Sequence, residues 1–310
     1  MFNTDETGKI EELIDDLKLL NKEYIEAREI NSKAIGIYNL LINLKRVNFK
    51  YFVNFIRRNL KRRKIISSGL MNSKNEIIDS NSVNIYNENR FVVYTVIFGK
   101  YDRILEPVFV PDNCDFYIVT DNELPAYTKW KKYDLSKCMD LIKNFDNIEK
   151  NRYLKMHPEK LFPDYQYSIY IDGNIQPISD LTELVNKISP YGVSMHFHNH
   201  RNCVYKEIEV LKILKKDKKT NLDYHKEHLL NEEMPYNYGM LECNVIVRKH
   251  NDYLCQKLMD EWWHEFTNYS RRDQVSFPYV LYKNNIDVKE IATLGYDVRK
   301  NFCLRVYEHL

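Results

Sequence analysis

The fold is organised around the stretch Tyr165-Gln-Tyr-Ser-Ile-Tyr-Ile-Asp-Gly-Asn-Ile175. Its aromatic and β-branched first half predicts a short β-strand, which runs directly into Asp172, Gly173 and Asn174. In open α/β sheets, ligands bind at the carboxyl ends of the strands. An Asp and an Asn two residues apart can both turn oxygen atoms toward one hard divalent cation, and the glycine lets the backbone approach a ligand closely. The same tripeptide is also good turn chemistry, so alone it indicates either a binding site or a tight turn.

Strands and helices alternate on both sides of this stretch. Continuous apolar runs at residues 91–98 and 115–120 predict buried strands, and further strands are predicted at 192–198 and 239–248. The predicted helices cover residues 148–161, 203–217, 221–232 and 251–268. This alternation predicts a Rossmann-like α/β domain over residues 90–310, with a mainly parallel sheet and helices on both faces. No Gly-x-Gly-x-x-Gly follows the first strand, so a Rossmann-type dehydrogenase is excluded.

The N-terminal region, residues 1–66, has a different character. Apolar residues at steps of three and four over residues 10–27 predict an amphipathic helix, which either forms a homodimer or packs on the next helix. Residues 31–75 contain eleven Lys or Arg and no Asp or Glu. Over residues 31–66 the interleaved aromatic and aliphatic side chains favour an anionic membrane surface, with docking on the protein's own acidic body as the alternative. Nucleic acid is the least favoured partner, because no nucleic-acid-binding module accompanies the basic segment.

Composition indicates where the domains are divided and in which cellular compartment the protein is expected. Residues 67–89, with Ser-Ser-Gly followed by Asn, Ser and Glu, predict a linker between the helical region and the α/β domain. Six cysteines occur singly and without metal-binding spacing, which is typical of reduced, buried thiols in a cytosolic protein. The first residues are polar, and no apolar run approaches membrane-spanning length. We therefore expect a cytoplasmic protein that attaches peripherally to the inner face of the membrane.

Several short motifs follow one another in an order typical of one family. They are Tyr94-Thr-Val-Ile-Phe-Gly-Lys-Tyr-Asp102, Tyr117-Ile-Val-Thr-Asp121, Arg152 with Lys155, Ile171-Asp-Gly-Asn174, His196-Phe-His-Asn-His-Arg201, Leu241-Glu-Cys-Asn-Val-Ile-Val-Arg248 and Arg272-Asp-Gln-Val-Ser-Phe277. Over residues 90–285 the chain resembles a glycosyltransferase-like family once catalogued only as a domain of unknown function. Its members occur in bacterial polysaccharide clusters and among plant Golgi proteins, and it is similar to GT-A transferases such as glycosyltransferase family 8.

The resemblance implies roles for particular residues. Asp172 and Asn174 occupy the place of the metal-binding Asp-x-Asp, which implies Mn²⁺ or Mg²⁺, although the amide carries one charge fewer than a second acid would. The family's contacts to the nucleotide-sugar donor fall on Thr95, Asp121, Arg152, Lys155, Asn244 and Gln274. Glu242 and Asp273 become the candidates for catalytic base or nucleophile. An acid within an apolar strand, as at Glu242, is rare unless it is paired or functional.

Histidines form a second group of candidates. His196, His198 and His200 alternate, so on a strand they would share one face and could bind a metal or a phosphate. GT-A enzymes often use a late His as a further metal ligand, and His196 and His250 are the candidates for it. His198, His200 and Arg201 are candidates for contacts to the acceptor or to a phosphate. A cluster that only forms hydrogen bonds is the alternative for the three alternating histidines.

The favoured hypothesis is a glycosyltransferase of surface polysaccharide biosynthesis. It would move a sugar from a nucleotide-sugar donor, UDP-linked and assisted by a divalent metal, to a glycan or a lipid-linked acceptor. One alternative is a non-catalytic scaffold of a polysaccharide assembly complex, which the amide at Asn174 favours. The other is a hydrolase of phosphate or lipid-linked substrates that uses the histidine cluster and Asp172.

Overall fold

The computed structural model describes residues 57, 60–70 and 90–308 of the chain. The predicted homodimer helix at residues 10–27, nearly all of the predicted membrane-binding segment at 31–66 and most of the predicted linker lie outside the described residues. Of the basic region, residues 60–67 are seen as helix, and Ile65 is buried. Within the described part of the chain, no helix has both the length and the apolar character needed to cross a membrane.

Eight strands and eight helices follow from residue 91 onward in the described residues. The strands are β1 (Phe91–Ile97), β2 (Cys114–Thr120), β3 (Lys131–Lys132), β4 (Ser168–Ile171), β5 (Ile175–Pro177), β6 (Val193–Phe197), β7 (Leu241–Arg248) and β8 (Leu304–Val306). The helices are α1 (Met139–Ile142), α2 (Asn147–Met156), α3 (Thr182–Val185), α4 (Val204–Leu214), α5 (Lys219–Asn231), α6 (Tyr253–Asn268), α7 (Asp273–Lys283) and α8 (Val288–Ile291). Single 3₁₀ turns occupy Leu135–Lys137, Pro158–Lys160 and Val298–Lys300.

The central sheet has six strands in the order β3-β2-β1-β4-β7-β6. Strands β3, β2, β1 and β4 run parallel, whereas β7 is antiparallel to both of its neighbours. The predicted α/β fold with a mainly parallel sheet is therefore confirmed. Because β7 is reversed, its first residues lie beside the last residues of β4, and Val245 pairs with Ile171. Because of this reversal, the residues at the start of β7 lie at the same edge of the sheet as the residues that follow β1 and β4.

Alternate residues of the strands bury the two faces of the sheet in separate apolar cores. On one face, β1 contributes Tyr94 and Val96 to a core shared with α2, α6, α7 and α8. On the other, Val93 and Ile97 pack with the short helix α3 and with the C-terminal segment that contains Val298. Helices thus cover one face fully, and a single short helix with loops covers the other.

Two further parts of the chain frame the carboxyl edge of the sheet. Helices α4 and α5 enclose a third apolar cluster together with residues of α7. Strands β5 and β8 form a small antiparallel sheet that brings the C-terminal segment against the β4 loop. There, Tyr307 N donates to Asn174 O and Asn174 Nδ2 donates to Tyr307 O, both at 2.8 Å. The loop that contains Asp172 is consequently fixed from the C-terminal side.

Candidate functional site

A cavity of about 740 Å³ lies at the carboxyl edge of the sheet, where β1 and β4 end and β7 begins. Its side chains fall into three groups. The apolar end is formed by Ile97, Phe98, Tyr101, Asn147, Ile148 and Asn151. The charged floor is formed by Arg152, Lys155, Asp172, Glu242, Asn244 and Asp273. The basic wall is formed by Arg201, Lys216, Lys218, Arg271, Arg272 and Arg299.

The charged floor centres on Lys155, whose side chain is only 1% exposed. Its Nζ lies 2.7 Å from Asp273 Oδ2 and 3.6 Å from Asp172 Oδ1, and it sits over the ring of Tyr170. Arg152 Nε is 3.0 Å from the same Asp273 oxygen, as an ion pair without an aligned hydrogen bond. The sequence placed these two cations three residues apart on one helical face, and the structure brings both to the floor.

The two aspartates of this cluster differ in what surrounds them. Burial alone would raise the pKa of Asp273, but the charges of Arg152 and Lys155 outweigh burial and hold that pKa well below its usual range. Asp172 accepts a 2.8 Å hydrogen bond from the Tyr170 hydroxyl, and a quarter of its side chain remains exposed at the cavity. Asp273 is thus engaged inside the protein, whereas Asp172 keeps carboxylate surface for a ligand.

Helix α2 is held in place at both ends. Asp146 and Glu149 form a capping box at its start, where each side chain accepts from the other residue's backbone N–H. At its end, Arg248 Nη1 donates to Lys155 O at 2.6 Å, and Arg248 Nη2 donates to the Tyr94 hydroxyl at 2.7 Å. That hydroxyl donates in turn to Lys155 O at 2.9 Å. The buried guanidinium therefore satisfies carbonyl groups that a helix terminus leaves unpaired.

The β4 loop offers oxygen atoms of the kind that a hard cation prefers. Asn244 Oδ1 is buried without a hydrogen-bond partner among the described residues, and Asp172 N donates to Asn244 O at 2.9 Å. A Cβ at Gly173 would lie 3.2 Å from Asp102 Oδ2 and 2.9 Å from Ile97 Cδ1, so a larger residue there would require the Ile97 side chain to shift. The described residues contain no group of three or more His, Cys, Asp or Glu side chains arranged for a metal ion. Asp172 and Asn244 therefore supply the oxygen atoms at this loop that a cation could contact.

Glu242 opens β7 and lines the cavity, although it is 4% exposed. Its carboxylate accepts from Val298 N at 3.1 Å, and Arg299 Nη1 lies 3.6 Å away. Burial raises the pKa of Glu242, and the nearby Asp297 raises it further. Asp297 itself has a φ of 56°, which is uncommon for a residue with a side chain. Glu242 thus combines burial with access to the cavity.

The alternating histidines do not act as one group, because β6 ends at Phe197. His198 and His200 line the cavity, and His198 Nδ1 accepts from the backbone N–H groups of His200 and Arg201 at 3.1 Å each. Arg201 also pairs with the buried carboxylate of Glu207. His196 does not line the cavity; its Nε2 is 3.3 Å from Asn301 Nδ2, and burial lowers its pKa to about 3.

His250 lies at the opposite edge of the sheet, because it follows the last residue of the reversed strand β7. Its Nε2 donates to Phe162 O at 2.9 Å, and burial lowers its pKa to about 4.

Thr95 is buried in β1 and Asp121 accepts a 2.9 Å hydrogen bond from Gly99 N, which orders the loop after β1. His250, Thr95 and Asp121 do not line the cavity. Asn174 and Gln274 both do.

Several cavity residues were not among those singled out from the sequence. They are Asp102, Asn147, Asn151, Lys216, Lys218, Arg271, Arg272 and Arg299. Asp102 carried a signal, because it closes one of the quoted family motifs and follows a predicted strand, at whose carboxyl end ligands bind in open α/β sheets. The others come from the first turns of α2, from the 3₁₀ turn at Val298–Lys300 and from loops, which the fold brings together across long stretches of chain, and no local pattern marks them.

The fold and the cavity define an α/β protein with a cavity at the carboxyl ends of its parallel strands, where ligands bind in open α/β sheets. Within that class, the chain belongs to the family of TOD1/MUCI70 glycosyltransferase-like domains, which it matches over residues 63–309. The resemblance to a glycosyltransferase-like family is therefore confirmed, and the match extends beyond residues 90–285 at both ends.

The individual proteins that the chain resembles share 24% or less of its sequence. The probable hexosyltransferase MUCI70 of Arabidopsis thaliana is 24% identical over 247 residues, which cover 70% of this chain and 41% of that protein. The chain therefore spans less than half of the length of this relative. Among solved structures, the apo form of the bifunctional glycosyltransferase WbbM gives a TM-score of 0.40 at 11% identity, covering 73% of this chain and 41% of the other. The mannosyltransferase Ktr4p of S. cerevisiae gives 0.33 at 11% identity, covering 74% and 75%. The apo form of mouse xyloside xylosyltransferase 1 gives 0.38 at 10% identity, covering 64% and 82%.

Proposed function

We propose that the chain is a glycosyltransferase that moves a hexosyl group from a nucleoside diphosphate sugar to a hydroxyl of a glycan or lipid-linked acceptor. The donor is UDP-linked, and a divalent cation, Mn²⁺ or Mg²⁺, assists the reaction. Membership of a glycosyltransferase-like family supports the reaction class. The observation that carries the proposal is the pair of cations, the buried Lys155 and the partly buried Arg152, held by Asp273 beneath a cavity of the size of a small-molecule site.

The leaving group of this reaction is a diphosphate, whose developing negative charge must be stabilised. Arg152 and Lys155 are fixed before substrate arrives, because Asp273 and the anchored end of α2 hold them. Preorganised charges of this kind, in a site with little water, are commonly the largest catalytic contribution. When bound, the divalent cation would be held by Asp172 and Asn174 and would neutralise further diphosphate charge. The apolar end of the cavity is left for the nucleoside.

Transfer also requires a group that takes the proton of the acceptor hydroxyl while the bond from the anomeric carbon to the diphosphate breaks. Of the two candidate carboxylates, Glu242 suits this role better. Its pKa is raised, which brings a carboxylate closer to the pH at which general bases work well. Asp273 has a lowered pKa and two ion pairs, so we assign it to positioning Arg152 and Lys155.

Calorimetric titration of a panel of UDP-sugars, with and without Mn²⁺, tests the proposal. We expect one sugar to bind in a metal-dependent manner and Asp172→Ala to abolish that dependence. Asp140→Ala is the matched control, because Asp140 is 94% exposed and does not line the cavity. Failure of every UDP-sugar to bind under any condition would refute the proposal.

The same protein samples separate the alternative functions. A scaffold would tolerate Asp172→Ala in an assay of polysaccharide assembly, whereas a transferase would not. A hydrolase would turn over a phosphate or lipid-linked substrate in water without an acceptor, and analysis of the products would reveal it. The membrane contact of residues 31–66, the homodimer through residues 10–27 and the cytoplasmic location remain proposals, which vesicle binding, sedimentation and fractionation would test.

A further inference from the structure

Three segments of the chain meet beside the apolar end of the cavity. They are the start of α2, the loop between α4 and α5 at residues 215–218, and the connection between α6 and α7 at residues 269–272. Each of them contributes to the lining of the cavity, with Asn147, Ile148, Lys216, Lys218, Arg271 and Arg272. Because these segments are distant in the sequence, their positions depend on the contacts between them.

Arg271 is bonded to both of the other segments. Its Nη2 donates to Asp146 Oδ1 at 2.6 Å and lies 3.8 Å from Glu149 Oε1, and both of these acids belong to the start of α2. Its backbone N–H donates to Asp217 Oδ2 in the loop at 3.0 Å. These bonds join residues that are 125 and 54 positions apart. We call Asp146, Arg271 and Asp217 the Arg271 bridge.

The bridge fixes the position of the loop. Asp217 Oδ1 also accepts from Lys218 N at 2.6 Å and from Asn221 Nδ2 at 3.3 Å, so one carboxylate joins the loop, the first turn of α5 and Arg271. Asp146 directly precedes Asn147, which is one of the residues of the apolar end. The bridge therefore places the loop beside the part of the cavity that is left for the nucleoside.

Stability alone does not explain the bridge. The side chains of Arg271 and Asp146 are 33% and 53% exposed, and ion pairs with this much access to water contribute little to folding. Arg271 Nε is buried without a hydrogen-bond partner among the described residues, which is costly. Asp146 caps α2 without help from Arg271, since its carboxylate accepts from Ile148 N and Glu149 N. A role at the cavity explains the bridge better.

We propose that Arg271 is a positioning residue of the donor site, which holds the loop 215–218 against the start of α2 and thereby completes the wall around the nucleoside. This inference rests on the proposed function, because it concerns the nucleotide part of the same donor. Arg271 acts through the loop and through α2, not on the reacting atoms. With the loop in place, the exposed Lys216 and Lys218 add positive charge beside a ligand that is itself anionic.

Two substitutions that break the bridge from opposite sides test the proposal in the full chain. Arg271→Gln removes a positive charge, whereas Asp146→Ser removes a negative charge and keeps a residue that caps helices about as well as Asp does. If only charge mattered, Arg271→Gln would weaken the binding of anionic UDP and Asp146→Ser would strengthen it. If the bridge positions the loop, both substitutions weaken UDP binding.

Calorimetric titration with UDP in the presence of Mn²⁺ measures these effects. We expect UDP to bind about 3- to 10-fold more weakly to Arg271→Gln and about 2- to 5-fold more weakly to Asp146→Ser, which leaves Glu149 near Arg271. The double variant should bind UDP no more weakly than Arg271→Gln alone, because the two residues act through one contact. Hydrogen exchange at the backbone N–H of Arg271, which donates to Asp217, should become faster in both single variants.

Asp223→Asn is the matched control. It also removes one negative charge, and it breaks the 2.5 Å pair between Lys212 of α4 and Asp223 of α5, neither of which lines the cavity. We expect it to leave both UDP binding and the hydrogen exchange of Arg271 unchanged.

Stronger UDP binding by Asp146→Ser, or unchanged binding by both single variants, would overturn the proposal while UDP binding by the unmodified chain still stands. An equal loss of UDP affinity in Asp223→Asn would also overturn it, because a general loosening of α4 and α5 would then be the cause. Absence of UDP binding by the unmodified chain would instead refute the proposed function.

Discussion

Two aspartates with similar partners lie at opposite edges of the central sheet. Asp273, at the carboxyl edge, pairs with Lys155 and Arg152, whose side chains are 1% and 21% exposed. Asp115, at the start of β2, pairs with Lys131 at 2.5 Å and with Arg90 at 2.9 Å, and these side chains are 59% and 54% exposed. In both cases burial would raise the pKa of the carboxyl group, and the neighbouring cations lower it instead.

The difference lies in the cations, not in the aspartates. At the amino edge, water solvates Arg90 and Lys131, so the cluster ties β1 to β2 and β3 and little else. At the carboxyl edge, Lys155 has lost nearly all of its water, and among the described residues Asp273, Asp172 and the ring of Tyr170 replace it. A buried cation with incomplete compensation is costly to fold and is ready to bind an anion. Similar ion pairs can therefore differ in how readily their cations would bind an anion.

The largest expected effect comes from Asp273→Asn, which leaves Lys155 and Arg152 buried without their main counter-ion. We expect a loss of about 3–5 kcal/mol in the free energy of unfolding, as for other buried pairs that lose one partner. Urea-induced unfolding measures it. At the amino edge, Asp115→Asn leaves two hydrated cations and should cost about 1 kcal/mol. Equal losses in the two variants would show that the comparison is wrong.

Arg248→Met should have the next largest effect, since it removes the buried guanidinium that anchors the end of α2. Among the described residues Arg248 has no carboxylate within 4 Å, and its shortest hydrogen bonds go to Lys155 O and the Tyr94 hydroxyl, with longer ones to Met156 O and Met259 Sδ. We expect a loss of about 2–4 kcal/mol in unfolding free energy and about 1 kcal/mol for Tyr94→Phe. Tyr133→Phe is the control, because Tyr133 is buried and its hydroxyl forms no hydrogen bond with the part of the chain that the structure describes. A smaller loss for Arg248→Met than for Tyr94→Phe would contradict the anchoring role.

Much of the sheet could be predicted because its strands are nearly continuous apolar runs. Short runs of this kind are typical of buried strands. The pairing of Lys155 with Asp273 could not, since these residues are 118 positions apart and meet only through the packing of α2 against α6 and α7. Helix α7 itself was not predicted, because Pro278 interrupts its pattern. The direction of β7 also could not be predicted. Because β7 is antiparallel to its neighbours, Glu242 lies at the cavity and His250 lies at the opposite edge of the sheet.

The histidines show the limit of a local pattern in another way. Alternation predicts a shared face only while the chain remains a strand, and β6 ends at Phe197. Between β6 and β7 the register shifts, so that Ser194 pairs with Val247 while His196 pairs with Glu242. A bulge of this kind changes which side chains point into a site, and the sequence of one strand alone does not predict it.

A buried carboxylate that forms no ion pair with a Lys or Arg of the described residues extends the comparison to pH. Among the described residues, the one group of opposite charge type within 4 Å of Glu265 is His228, at 3.3 Å, and burial raises the pKa of Glu265 to about 7. The folded state therefore favours the protonated acid, and its contribution to stability falls as pH rises from about 4.5 to about 7. We expect Glu265→Gln to be more stable than the unmodified chain by about 2 kcal/mol at pH 8 and equal to it at pH 4. Thermal unfolding at both pH values checks this, and a variant less stable at pH 8 would contradict it.

The smallest effect is expected at the amino edge, from Arg90→Gln. The guanidinium is half exposed, so water replaces the lost contact with Asp115, and Lys131 and the Tyr165 hydroxyl still donate to that carboxylate at 2.5 Å and 2.7 Å. We expect a change below about 1 kcal/mol in unfolding free energy, smaller still in high salt, and no change in UDP-sugar binding. The matched variant Arg152→Gln, whose guanidinium is mostly buried against Asp273, should weaken donor binding and cost more stability. Parallel urea unfolding and calorimetry on the two variants would measure how far burial alone turns an ion pair into a binding site.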